Sequence, residues 1–146
     1  MNARLSIATL AATLRATPAL AGMRVGTCYD RDYMTAFGKV YPSVWVAAQR
    51  MTVLDDGRAY SGQFRQHAKA EVAVRLVVQR YADGSLDAEA RLNALHDAVV
   101  DALKDFTPPD ADQPFVLVSA ADGDASEAVM TADIIFSTTV TYARAA

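Results

Sequence analysis

The sequence is poor in the residues that most often carry chemistry. It has one cysteine, Cys28, and two histidines, His67 and His96. A lone cysteine closes no intrachain disulfide, so a disulfide framework is excluded and an inert, buried or half-buried thiol is expected. Neither histidine has a cysteine nearby or a partner at metal-ligand spacing, so both read as surface or packing side chains. Gly22 and Gly26 make no phosphate cradle, and the serines lack a nucleophile-elbow context. Asp122-Gly123-Asp124 begins like a calcium loop, but the following ligand positions and the closing glutamate are not in place, so it reads as a turn. The acidic pairs Asp30/Asp32 and Asp55/Asp56 read as solvated loop residues. No catalytic residue, cofactor or metal is expected, and the chain does not read as an enzyme.

A strong charge of one sign and a long apolar run are also missing. The net charge is −3, from 14 basic and 17 acidic residues. That argues against a dedicated nucleic-acid binder, which shows a basic face, while leaving room for DNA to pass nearby ungripped. No apolar run approaches the roughly 20 residues needed to span a bilayer. Arg4 followed by Leu5 to Leu14 and Ala19-Leu20-Ala21 loosely resembles a secretory signal. Ser6, Thr9, Thr13 and Arg15 interrupt it, and Leu5, Leu10 and Leu14 suit an amphipathic helix over residues 3–16, the expected structure.

What is present is strong patterning around residues 71–106. Val72, Val74, Leu76 and Val78 alternate onto one face of a strand, with Arg75, Gln79 and Tyr81 on the other. Asp83-Gly84 turns the chain, and Ser85 and Asp87 can cap a helix. Leu92, Leu95, Val99, Leu103 and Phe106 recur at spacings of three and four, an apolar stripe stopped at Thr107-Pro108-Pro109. A stripe of this kind needs a sheet to lie on. Other strands are expected at Gly22–Cys28, Ser43–Leu54, Pro114–Ser119 and Val129–Ala143. In the second, Val44, Val46 and Ala48 share a face opposite Trp45. Residues 120–127 are expected to be a turn. In the last strand Met130, Ala132, Ile134, Phe136, Thr138 and Val140 share a face, and a threonine-rich face opposes them.

The 146 residues suit one domain. The element order predicts an α+β fold: a mostly antiparallel β-sheet with two helices packed on one face and a long β-hairpin arm around 55–70. The opposite sheet face is left partly uncovered, which in a small domain marks self-association. Arg58, Arg65 and Lys69 with Tyr60 and Phe64 form a basic-aromatic cluster in the arm, read as a protein contact or solvated loop before a single-stranded nucleic-acid platform. Tyr29, Tyr33, Phe37 and Tyr41 line the loop before the second strand, read as a flap on the core edge, with a contact surface as the other reading.

At Ala102-Leu-Lys-Asp-Phe-Thr-Pro-Pro and Gln113-Pro-Phe-Val-Leu-Val the chain resembles the tail terminator, or tail completion, proteins of long-tailed bacteriophages, in particular the Mu-like and prophage-encoded versions. Pro42 to Val46, Glu71 to Tyr81 and Ile134 to Arg144 also match that plan, so the resemblance covers nearly the whole chain. Lys104-Asp105-Phe106 departs from it, standing where a glycine-tryptophan pair is common. The resemblance implies a structural virion protein, made in the bacterial host cytoplasm. It implies a ring, usually of six copies, that closes the head-proximal end of the tail tube, stops its polymerisation and offers a docking surface to the head connector. The implied partners are further copies of the chain, the tail tube protein, the connector or stopper, and DNA passing through the lumen. Within that frame the expected contacts are Arg58, Tyr60, Phe64 and Arg65 of the arm, then Tyr33 and Phe37 of the loop. The alternatives are another neck, head-tail joining or minor tail component, and a small ligand-binding or enzymatic α+β domain.

Overall fold

Helix α1 (Ile7–Arg15) begins where Ser6 provides a cap: its side chain accepts from the Thr9 amide at 3.2 Å, satisfying one of the orphan donors of the first turn. Its apolar positions Ile7, Leu10, Ala11 and Leu14 are all buried. The helix starts later than the expected residue 3. Leu5 is buried ahead of it, with its backbone bracketed by the Gln49 side chain, which donates to the Leu5 carbonyl at 3.1 Å and accepts from its amide at 3.2 Å. The computed structural model describes residues 4–33, 41–54, 63–80, 87–125 and 128–145.

After a 3-10 turn (Pro18–Leu20) come strands β1 (Arg24–Thr27), β2 (Ser43–Val53) and β3 (Gln63–Gln79), helix α2 (Asp87–Leu103), and strands β4 (Val116–Ala125) and β5 (Val129–Ala145). They form one five-stranded sheet in the order β1-β2-β3-β5-β4. Only the β1–β2 pair is parallel; β2–β3, β3–β5 and β4–β5 are antiparallel. The fold is therefore the expected α+β arrangement. Both helices bury their stripes on one sheet face, where Leu10, Leu14, Leu95 and Val99 share a core with Val44, Val72, Val74, Leu76, Ile134 and Phe136.

Three local expectations need correction. In β2 the register slips between Val46 and Ala48. One extra residue reverses the alternation, so Ala48 faces solvent while Gln49 and Met51, opposite Val72 and Ala70, take the core side. The return limb of the expected hairpin arm is strand from Gln63 onward, antiparallel to β2 at Lys69 and Ala68, although its buried positions Ala68 and Ala70 are too small to stand out in the sequence. The Asp122-Gly123-Asp124 segment is strand, not turn, because β4 runs to Ala125. Glycine suits that position: a Cβ on Gly123 would lie 2.5 Å from Thr131 Oγ1. Finally, α2 stops at Leu103, and the last residue of the expected stripe, Phe106, packs against the core from beyond the helix.

Asp105 makes that break with φ of 61°, a left-handed conformation at the helix end that glycine adopts without strain. The backbone thus favours glycine at the position where this sequence carries Asp105. Asp105→Gly is expected to raise stability by ~0.5–1 kcal/mol, the relief of left-handed strain exceeding the added chain entropy. The melting temperature should rise by about 2–4 °C; an unchanged or lower value would contradict the argument.

Candidate assembly interface

Register alignment places side chains of the helix-free face in rows across four strands. Trp45, Arg75, Asp133 and Ala121 form one row; Ala48, Ala73, Ile135 and Ser119 form the next; Arg50, Glu71, Ser137 and Val116 the third. Arg75 Nε lies 3.3 Å from Asp133 Oδ1. Both are more than a third exposed, so this pair orders the face more than it stabilises the fold. The small-residue row makes a shallow depression of about 240 Å³ between the charged rows, bordered by Arg50 and Glu71.

One end of this face is covered. Trp45 is fully buried in a second, smaller core with Val77 and Val129, against which Tyr33 and Tyr41 pack. The Tyr33 ring stands edge-on to Trp45 at 5.4 Å and 72°, a favourable aromatic geometry. The Arg24 guanidinium lies 4.9 Å from the Trp45 ring centroid, within cation–π range, and also meets Asp32 at 2.9 Å. Trp45 Nε1 donates to Ser43 Oγ at 2.9 Å. At Tyr33 and Tyr41 the loop therefore acts as the expected flap.

The two sheet edges differ. β4 is ten residues long and, among the described residues, no strand pairs with its outer side. Val116, Leu117 and Val118 on it are 62%, 41% and 45% exposed. At the other edge β1 has four residues, and its Val25 carbonyl accepts from Arg15 Nε at 3.0 Å and Arg24 Nη1 at 2.9 Å. That edge is blunted by side chains, while the β4 edge is open to pairing. His96, Asn93 and Asp122 border a hollow of about 330 Å³ between α2 and β4, where His96 Nδ1 is 3.5 Å from Asp97 Oδ1.

The residues expected to make contacts are dispersed. Arg58, Tyr60 and Phe37 lie outside the described residues. Phe64 and Arg65 sit in β3, opposite Arg144 and Ala143. Tyr33 is half-buried against Trp45, and Arg75 Nη1 donates to its hydroxyl at 3.5 Å. The exposed apolar edge at Val116–Val118 was read from the sequence only as a short strand. A continuous apolar run ordinarily suits a strand buried on both faces, and only the strand order, which puts β4 outermost, leaves it exposed.

No curated protein matches this chain. Among solved structures it is similar to a chain of "Virion of native gene transfer agent (GTA) particle", at 16% identity and a TM-score of 0.49, covering 92% of this chain and 86% of that one. That likeness is too low to bear on function. The model of the phage tail terminator protein family matches residues 1–146, the full length. The chain thus belongs to the phage tail terminator protein family and is a structural protein of the phage tail.

Proposed function

We propose that copies of this protein, six in the reading the family resemblance implies, close into a ring on the head-proximal end of the tail tube. The ring stops tube growth and offers its other side to the head connector. The observation that carries this reading is the full-length family match. The sheet supports it, since a ring needs two unlike patches per subunit and the two edges of this sheet differ in length, capping and exposed apolar surface. The net charge of −3 agrees with a lumen through which DNA slides, because a strongly basic lining would hold the phosphates. In this proposal the segment joining β2 and β3, with Arg58 and Tyr60, reaches the tube or a neighbouring subunit, and Phe64, Arg65, Tyr33 and Phe37 are further contacts.

The test is negative-stain electron microscopy of the protein alone and added to tail tubes that lack it. Uniform rings, or tubes capped at one end and of uniform length, are expected. Replacing residues 56–61 by a short Gly-Ser turn, which spares β3, should leave the melting temperature within about 2 °C while abolishing capping. A persistent monomer that leaves tubes uncapped would refute the ring. Normal capping by the shortened protein would refute the role of the joining segment.

A further inference from the structure

We infer that successive copies of this chain meet head to tail through opposite edges of the sheet, the β4 edge of one docking on the β1 side of the next. This rests on the ring reading and names the surfaces that close it. The first observation is the exposed apolar run Val116–Val118 on an edge strand with no strand partner among the described residues. A long, open, apolar edge is a template for association.

The second observation is what the opposite edge offers. Strand addition on β1 is blocked, because Arg15 and Arg24 already occupy the Val25 carbonyl. Next to β1, however, stands Tyr29, 68% exposed, whose hydroxyl accepts from Arg4 Nη2 at 3.1 Å. Arg31 is exposed beside it. A tyrosine flanked by arginines suits an interface centre: the ring covers apolar surface, and the guanidinium donors can satisfy free edge carbonyls.

The third observation is charge. From Thr107 to Gly123 the sequence carries Asp110, Asp112 and Asp122 and no lysine or arginine, with Asp122 in β4 and Asp112 held beside β5 through its amide on the Thr139 carbonyl. Up to Asp32 it carries Arg4, Arg15, Arg24 and Arg31 against Asp30 and Asp32, and both of those carboxylates are within 3.5 Å of Arg24. The β4 edge is thus acidic and the β1 side basic. A two-fold contact between β4 edges would set acid against acid, whereas a head-to-tail contact sets acid against base at every repeat. Such a contact makes a ring when its rotation closes.

The experiment mixes two full-length variants, Arg31→Cys and Val118→Cys, each also carrying Cys28→Ser. They are assembled on terminator-deficient tubes, treated with a short bismaleimide, and the linked peptides are identified by mass spectrometry. Links between 31 and 118 are expected, without 118–118 links. In addition, Asp122→Arg should raise the concentration needed for half-maximal capping by ~10-fold, the effect of one like-charge contact, with an unchanged circular dichroism spectrum. Rings that give 118–118 links, or no link involving 118, would overturn the edge assignment and leave the ring standing. Failure of the wild-type protein to form rings or caps would overturn both.

Discussion

Trp45→Ala is expected to lower stability by ~3–5 kcal/mol, the range for truncating a buried aromatic. Trp45 is fully buried although it lies on the face opposite the helices. Its ring fills the space between Tyr33, Tyr41, Val77 and Val129. Removing it leaves Ser43 Oγ without its indole donor and the Arg24 guanidinium without its aromatic platform. Gly26 shows how close the fit is: a Cβ there would stand 2.6 Å from Trp45 Cζ3. The melting temperature should fall by roughly 10–15 °C. Because Trp45 is the only tryptophan, the variant must be followed by circular dichroism instead of indole fluorescence. The flap rests on this ring, so a protease should cut near Tyr29–Tyr33 well below the global transition. Trp45→Phe should recover much of the loss. A fall of less than about 1 kcal/mol in Trp45→Ala, far below the usual cost of truncating a buried aromatic, would show that the second core is incidental.

Phe136→Ala should cost a similar ~3–5 kcal/mol, for a different reason. Phe136 is fully buried at the middle of the main core. It stands opposite Val72 on one neighbouring strand and Leu117 on the other, with the Phe115 ring 5.8 Å away. The loss therefore spreads to the seating of β4 and to the chain turn after α2, where the Phe115 amide donates to the Phe106 carbonyl at 2.8 Å. Denaturant unfolding should show a lower midpoint with an unchanged slope, the mark of lost stability without a change in exposed surface. In the assembly assay this variant should lose capping near its own melting temperature. Loss of capping in fully folded Phe136→Ala would point instead to a direct role of the β4 edge geometry.

The helix-covered core was legible because its residues are large and regularly spaced. Leu10 and Leu14, Leu92 to Leu103, Val72 to Val78 and Ile134 to Val140 repeat at helical or strand periods, and the structure buries them as that spacing requires. Such patterns specify which face of an element is dry. Family membership was legible for a related reason, since it lies in the order and spacing of whole elements.

Other features are set by pairs of residues distant in sequence. Nothing near Ala48 announces the slip that turns it outward; the slip exists only relative to β3. The strand character of Gln63 to Ala70 comes from pairing with β5 over its full length, because alanines give too weak a local signal. Asp122-Gly123-Asp124 has the composition of a turn and becomes strand because the segment pairs with β5, Asp122 opposite Ala132 and Ala125 opposite Met130, and glycine there leaves room for the Thr131 side chain. The burial of Trp45 depends on Tyr33 and Tyr41 folding back over the sheet. By itself, then, the sequence determined the element order, the main dry faces and the family, all of which follow from local spacing. The tertiary structure alone decided which strand stands at the edge, which apolar residues remain exposed there and which sheet edge is blunted. Those outcomes arise from strand order and register, which the hydrogen bonds between distant segments fix.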